Sequence, residues 1–355
     1  MKITLGKLSL AILAIAFTFD ANAWAQAKRA ASTAELGAYT GADREQRLLA
    51  GAKAEGKVVW YTSLAGTSYK ELARAFEAKY PGVHIEPYRA TSADLMTKIV
   101  AEAEAKRFVA DSIETTLPVM RYMREGKMLA PYASSVLAKY PPAAVEKADR
   151  GLYYWGVDRE TYMGVGYNTT AITGNMIPKS YGDLLKPELK GKIGFATSDT
   201  GARTIGAMLK FKGEEFVRKL KGQDVTLHAV SGRAMADMVI SGEVGLSPTI
   251  FRDHALESKA KGAPIEWVPM EVVPTNAGCV ALLAQAPHPN AAVLLADFLF
   301  TPGAQKILAD LEYGSPFRPM NFKLWYPETG LSTAQYDKAV ANWEKLLREI
   351  GRKPL

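Results

Sequence analysis

The sequence predicts an α/β fold with two domains, and three observations support this prediction. Short apolar runs typical of buried strands alternate with amphipathic helical segments, an order that favours a parallel or mixed sheet flanked by helices. The same alternation restarts after about residue 160. The chain has 355 residues, more than one hydrophobic core usually accommodates. Because no long Gly/Ser-rich or Pro-rich linker separates the halves, we expect strands that cross between the domains and act as a hinge.

The first 25 residues have the layout of a secretory signal peptide. Two early lysines precede a mostly apolar run, residues 8–19, and two overlapping small-x-small sites follow, Ala21-Asn22-Ala23 and Ala23-Trp24-Ala25. The apolar run has about twelve residues, fewer than the roughly twenty that cross a bilayer. The alternative to cleavage is that this segment remains attached and anchors the protein in the membrane. We therefore expect cleavage and a soluble protein in the periplasm.

The net charge of +7 and the pI near 9.2 are also typical of nucleic-acid-binding proteins. However, the basic residues are scattered and form no block or aromatic-interleaved stripe, so we expect no nucleic-acid partner. Attraction of small anions is one use of this charge, and general solubility is the other. Cys279 is the single cysteine and lies in the apolar run GCVALL. We expect it to be a small buried side chain, with no intrachain disulfide and no Cys-based metal site.

The first half of the chain reads as strand, helix, strand, helix. KVVWY at 57–61 and HIEPY at 84–88 are strand candidates, and between them residues 69–80 place their apolar side chains on one helical face. A further helix follows HIEPY, with Ser92 as its predicted N-cap.

The second half repeats this order. The predicted strands are GVGYN at 164–168, KIGFA at 192–196, VTLHA at 225–229 and IEWVP at 265–269; the predicted helices cover about 203–212, 214–221 and 233–241. The tail adds the strand CVALLAQ and an apolar helix. A second tail helix has Thr301 as N-cap and Pro302 at its first position. The last helix carries a core-facing stripe that consists of Tyr336, Val340, Trp343, Leu347 and Ile350.

Several segments, taken in order, resemble the periplasmic substrate-binding proteins of ABC importers. They are VVWYTSLAG, FEAKYPGVHIEPYRATSADLMTKIVAEAEA, GKIGFATSDTGARTIGAMLKFKGEEFVRKLKG, KAKGAPIEWV and APHPNAAVLLADFLFTPGAQKIL. The similarity runs from about Gly51 to about Pro319 and is closest to the branch that includes ferric-ion, phosphonate and organic-anion binders.

The resemblance implies the type II periplasmic-binding fold, in which two lobes, each a mixed sheet flanked by helices, are joined by crossover hinge strands. Residues 26–164 and 270–355 would form lobe one, and residues 165–269 lobe two. The implied protein is a monomer without a cofactor. It captures a small anionic solute, such as a carboxylate, phosphonate or phosphate ester, between the lobes and delivers it to an inner-membrane permease.

Four loops of such a fold would line the cleft, and helix N-termini there point N–H groups at anions. TSLAG offers Ser63, and ETT offers Thr115 and Thr116. In SDTGARTIG, the side chains of Thr200 and Arg203 would hold an anion beside Gly201. VSGRA offers Ser231 before a helix. Each loop is also compatible with an ordinary turn or a capped helix start.

SPTIFRDHA, residues 247–255, bears on whether the ligand is a small anion or ferric iron. Arg252 and Asp253 fall where the ferric binders carry adjacent tyrosines. An arginine stays protonated and cannot ligate iron, so the resemblance implies an anion clamp at Arg252 and no metal. Ferric iron is the first alternative, and the ordinary reading of the stretch is a solvated helix start with a weak surface ion pair.

Enzyme chemistry lacks its motifs in this chain. The four histidines form no His-x-x-x-His element, and neither Gly-x-Ser-x-Gly nor a P-loop occurs. An exported enzyme that uses Asp199 or Asp253 in the same cleft is the second alternative. The aromatic cluster Tyr153, Tyr154, Trp155 and Tyr162 contacts either the ligand or the core and hinge.

Overall fold

The computed structural model describes residues 31–318 and 320–353, so the predicted signal peptide lies outside the described residues. The strands are β1 (Lys57–Thr62), β2 (His84–Arg89), β3 (Ser112–Thr116), β4 (Leu129–Ala130), β5 (Val145–Lys147), β6 (Tyr153–Asn168), β7 (Gly194–Ala196), β8 (Val225–His228), β9 (Leu246–Phe251), β10 (Ile265–Val268), β11 (Val273–Leu283), β12 (Leu324–Trp325) and β13 (Gly351–Arg352).

The helices are α1 (Thr33–Ala38), α2 (Arg44–Glu55), α3 (Ser68–Lys79), α4 (Ser92–Glu104), α5 (Leu117–Glu125), α6 (Asp199–Lys212), α7 (Glu214–Lys219), α8 (Gly232–Ser241), α9 (Arg252–Ala260), α10 (Pro289–Leu299), α11 (Pro302–Asp310) and α12 (Thr333–Ile350).

The first lobe is built on a mixed sheet. Strand β1 runs parallel to both β2 and β3, and β11 runs antiparallel to β3. Helices on this sheet bury their apolar faces against it, with Trp60 of β1 and Phe76 of α3 fully buried. The parallel strands end at the same edge, so the loops after β1 and β3 lie close together.

Two strands, β6 and β11, run between the first lobe and the second. The first half of β6 pairs antiparallel with β11, whereas its second half pairs with β9 and β10. Trp155 of β6 lies in the first hydrophobic core and Val165, ten residues on in the same strand, lies in the second. The predicted α/β class, with two lobes, mixed sheets and crossover strands, is confirmed.

The second lobe contains a smaller sheet in the order β13-β8-β7, packed against α6 and α12. The stripe predicted for α12 is buried here, because Tyr336, Trp343 and Leu347 belong to the second core and β13 pairs with β8. The predicted boundaries of the two lobes stay an expectation. That prediction assigns the chain end to lobe one, whereas α12 packs in the second core. Among the described residues after β11, only those up to Tyr313 belong to the first core.

Local predictions were mostly accurate. Cys279 is fully buried, as predicted, and Thr301 caps α11 by accepting a hydrogen bond from the N–H of Ala304 at 3.3 Å. The N-cap of α4 is Thr91, which accepts from the N–H of Asp94 at 3.2 Å, so the prediction of Ser92 was wrong by one position.

The described residues include no single helix that is long and apolar enough to cross a membrane. Helices α10 and α11 together reach that length and composition, but they are bent by 60° relative to each other. Most of α10 is buried in the first core.

Candidate functional site

A buried ion pair lies on the lobe-one side of the cleft. Arg159 of β6 is 2.8 Å from the carboxylate of Glu114 in β3, and both side chains are almost completely buried. Arg159 Nη2 also donates to Ser63 Oγ at 3.2 Å, while the N–H of Ser63 donates to Glu114 Oε2 at 3.1 Å. The ring of Tyr313 lies 5.6 Å from the guanidinium. The predicted residue Ser63 is therefore held in a charged network that joins β1, β3 and the hinge strand.

Helix N-termini form the lobe-two side. A Cβ atom placed on Gly232, at the start of α8, would lie 3.5 Å from Thr200 Cγ2 and 3.4 Å from the ring of Phe251. The starts of α6, α8 and α9 therefore converge. Ser231 caps α8 by accepting from the N–H of Ala234 at 3.2 Å, and the hydroxyl of Thr200 is hydrogen-bonded to that of Ser198 at 2.9 Å. The predicted residues Thr200 and Ser231 thus come together.

The two sides meet at Arg252 and Glu312. Arg252, the first residue of α9, donates from Nη1 to Glu312 Oε2 at 2.9 Å. Glu312 follows α11 and has a positive φ of 66°, which is uncommon for a residue other than glycine. Beside this pair, Glu257 of α9 lies 3.9 Å from where a Cβ on Gly66 would be. The guanidinium predicted to hold a ligand is paired with a carboxylate of the opposite lobe.

Asp253 and His254 are buried between these groups. Asp253 is 5% exposed, and its Oδ1 has no hydrogen-bond partner among the described residues. Its Oδ2 lies 3.6 Å from His254 Nε2. Burial raises the pKa of Asp253, and the charges of His254 and Arg159 oppose this effect. Burial and the charge of the Asp253 carboxylate together raise the pKa of Tyr313 to about 12.

Gly201 and Arg203 face away from this cleft. A Cβ on Gly201 would overlap the carbonyl oxygen of Ala196 and would lie 2.8 Å from Leu347 of α12. Arg203 is 2% exposed and forms an ion pair with Glu328 at 2.6 Å. The geometry differs from the expectation here, because α6 is covered on all sides: its residues 200–208 are all buried, so residues on opposite faces of the helix both pack in the interior.

The ETT stretch is the end of β3, not the loop that the sequence predicts. Successive side chains of a strand point to opposite faces, so Thr115 cannot share the face of Glu114. Thr115 is fully buried, pairs with Cys279 of β11, and has no hydrogen-bond partner for Oγ1 among the described residues. Thr116 precedes α5 and makes no side-chain capping bond.

Sequence reasoning missed Glu114, Arg159, Glu312 and Tyr313. The available signal was the charged triplet Asp158-Arg159-Glu160 inside an otherwise apolar strand, since charges in a buried strand are rarely without partners. The aromatic cluster is mainly packing, because Tyr153, Trp155 and Tyr162 are all buried. Within residues 31–318 and 320–353, no three His, Cys, Asp or Glu side chains are placed to hold a metal ion.

Two lobes joined by crossing strands, with polar side chains facing one another near the hinge, define the class of periplasmic solute-binding proteins. The family model for bacterial extracellular solute-binding proteins matches residues 115–333, and the chain belongs to this family. It is the substrate-binding component of an ABC transporter, a class that binds small solutes and works with membrane permeases. The family consists of extracellular solute-binding proteins of bacteria.

Solved structures share the fold. Iron-bound HitA from Pseudomonas aeruginosa is 21% identical, with a TM-score of 0.64, 83% of this chain and 99% of that chain covered. The periplasmic binding protein AfuA from Actinobacillus pleuropneumoniae, with exogenous fructose-6-phosphate bound, is 22% identical with a TM-score of 0.68 over the same shares. An uncharacterized protein of Haemophilus influenzae is 26% identical over 268 residues, 72% of this chain and 76% of that protein.

Proposed function

We propose that the protein captures a small anionic solute, a carboxylate, phosphonate or phosphate ester, between its lobes and delivers it unchanged to a membrane permease. The observation that carries the proposal is the convergence of the N-termini of α6 and α8 beside Arg252. The N–H groups of the first helical turn and the positive end of each helix dipole favour an anion at this place. Thr200 and Ser231 add hydroxyl groups.

The weak ion pair between Arg252 and Glu312 is consistent with an anionic solute. Arg252 is only partly buried, with 26% of its side chain exposed, and Glu312 is 44% exposed. An exposed ion pair of this kind contributes about 0–1 kcal/mol. A bidentate anion that also contacts two helix N-termini gains more than that, so we expect it to displace Glu312 from the guanidinium.

The proposal is tested by calorimetric titration of the purified protein, after unfolding and refolding to remove any bound solute. The titrants are inorganic phosphate, citrate, glycerol 3-phosphate, propylphosphonate, and ferric ion supplied with citrate. We expect an organic anion to bind, and Arg252→Ala to weaken it by at least about tenfold, as expected for loss of a charged hydrogen bond.

Arg218→Ala is the matched control, because Arg218 is an exposed, ion-paired arginine of α7 in the same lobe. It should leave the affinity unchanged. Binding of ferric ion but of no organic anion would instead support the iron alternative. Recovery of a chemically altered solute after incubation would support the enzyme alternative.

A further inference from the structure

The carboxylate of Asp253 is a buried acceptor with unused capacity. It lies in the first turn of α9, and its Oδ1 has no partner among the described residues. The nearest ring nitrogen, Nε2 of His254, is 3.6 Å from Oδ2, too far for a hydrogen bond. Nδ1 of His254 is also buried without a partner among the described residues. A buried acceptor of this kind is unfavourable unless something donates to it.

The opposite lobe does not supply that donor. The guanidinium of Arg159 is bound to Glu114 at 2.8 Å and to Ser63 at 3.2 Å, and its Nε has no hydrogen-bond partner among the described residues. The hydroxyl of Tyr313 is 3.4 Å from that of Ser68, so it too is engaged within lobe one. Oδ1 of Asp253 therefore receives no hydrogen bond from any described group of the opposite lobe.

We propose that the captured anion also carries a donor, a hydroxyl or an ammonium group, which binds Oδ1 of Asp253. The inference rests on the proposed function and narrows it to hydroxylated or amino-substituted anions. The anionic group lies at the N-termini of α6 and α8, and the donor lies at Asp253. The start of α9, which touches the start of α8 through Phe251, places both ends within reach of one small molecule.

Simpler solutes match only part of this arrangement. An anion without a donor leaves Oδ1 of Asp253 unsatisfied and brings a further negative charge towards Glu114 and Asp253. An amine without an anionic group satisfies Asp253 but leaves the two helix N-termini uncompensated. A molecule with both ends satisfies both parts of the site.

Matched probes separate these cases. Glycerol 3-phosphate is compared with propyl phosphate, which lacks its two hydroxyl groups, and 2-aminoethylphosphonate with propylphosphonate, in which a methyl group replaces the ammonium. Ethanolamine is the probe without an anionic group. We expect at least one donor-bearing probe to bind at least about tenfold more tightly than its partner, the usual effect of one charged hydrogen bond. The pair that shows the preference identifies the donor.

Asp253→Asn keeps the shape and removes the charge, and it should abolish the preference for the ammonium probe and reduce that for the hydroxyl probe. Asp310→Asn is the control, because Asp310 is an exposed carboxylate paired with Lys306 on α11. If Asp253→Asn does not fold, the comparison within each probe pair on the unchanged protein still tests whether a donor group on the anion increases its affinity.

The outcomes distinguish the inference from the proposed function. Equal affinity within both pairs overturns the inference alone and leaves anion capture intact. A preference that Asp253→Asn leaves unchanged means that another residue accepts the hydrogen bond from the solute, and this also overturns the inference. Failure of every anion to bind overturns the proposed function and the inference together. Ethanolamine that binds as tightly as 2-aminoethylphosphonate overturns the anionic class.

Discussion

Arg203 and Glu328 form an ion pair of 2.6 Å in which both side chains are almost entirely removed from solvent. Burial tends to lower the pKa of Arg203, but the charge of Glu328 offsets it and the pKa is raised. The backbone carbonyls of Glu328 and Leu331 accept from Arg121 of α5 in lobe one, at 3.0 and 2.9 Å. The ring of Tyr336 lies 5.9 Å from the Arg203 guanidinium. This pair connects α6 to the segment that leads into α12.

Removing either partner of this pair should strongly destabilise the fold. Arg203→Met leaves the Glu328 carboxylate buried without a counter-charge, and breaking such a pair costs on the order of 3–5 kcal/mol. Arg252→Ala breaks a partly exposed pair and should cost about 0–1 kcal/mol. Urea unfolding of both variants checks this contrast. If both variants lose the same free energy of unfolding, Arg203 contributes no more to the stability of the fold than Arg252 does.

Gly201 should prove structural as well. Gly201→Ala places a methyl group against the Ala196 carbonyl oxygen, which belongs to the backbone and cannot move aside easily. We expect a loss of about 1–3 kcal/mol or more in the free energy of unfolding, as for other overpacked sites. Gly222→Ala is the control, because none of the described residues lies within 4 Å of its added Cβ, and it should be neutral or slightly stabilising. Thermal melting that does not distinguish the two variants would contradict this packing.

The contrast between Arg203 and Arg252 shows which structural features can be predicted from the sequence and which cannot. Local signals were enough for the strand and helix order, for the burial of Cys279, and for the stripe on α12. They could not tell which arginine faces solvent, because the partner Glu328 is far away in sequence. The packing of α12 in the second lobe was unpredictable for the same reason. Asp158-Arg159-Glu160 obscured the full length of β6, because charges usually indicate a loop and these are buried only through non-local partners.

Glu312 should act as an internal competitor at Arg252. Its backbone is held in a left-handed conformation that brings the carboxylate to 2.9 Å from the guanidinium. Glu312→Gln weakens this contact, so a solute anion should bind several-fold more tightly, in line with the small free energy of an exposed pair. Titration with the best anion found above measures the change, with Glu349→Gln, the exposed partner of Arg218, as control. Weaker binding in Glu312→Gln would mean that Glu312 contacts the solute itself.

Asp158 should make stability depend on pH. It sits where the pairing of β6 with β11 shifts register, fully buried, and neither carboxylate oxygen has a partner among the described residues. Burial and the nearby charge of Glu114 raise the pKa of Asp158 to about 8, against the opposing charge of Arg159. The ordinary pKa of an aspartate is near 3.8. The folded protein therefore keeps a proton that the unfolded chain releases between these two pH values.

The sign of the effect follows from this difference in bound protons. The free energy of unfolding falls as pH rises from about 4 to about 8, by at most about 1.4 kcal/mol per pH unit from this group, and the dependence ends above about 8. Asp158→Asn removes the titration, so its stability relative to the unchanged protein should increase from pH 5 to pH 8. Urea unfolding of both proteins at pH 5, 6, 7 and 8 gives this difference directly, and groups that titrate alike in both proteins cancel. A difference that stays constant over this range would place the pKa of Asp158 in the folded protein below about 5 and would remove the carboxyl group as a source of pH dependence in the hinge strand.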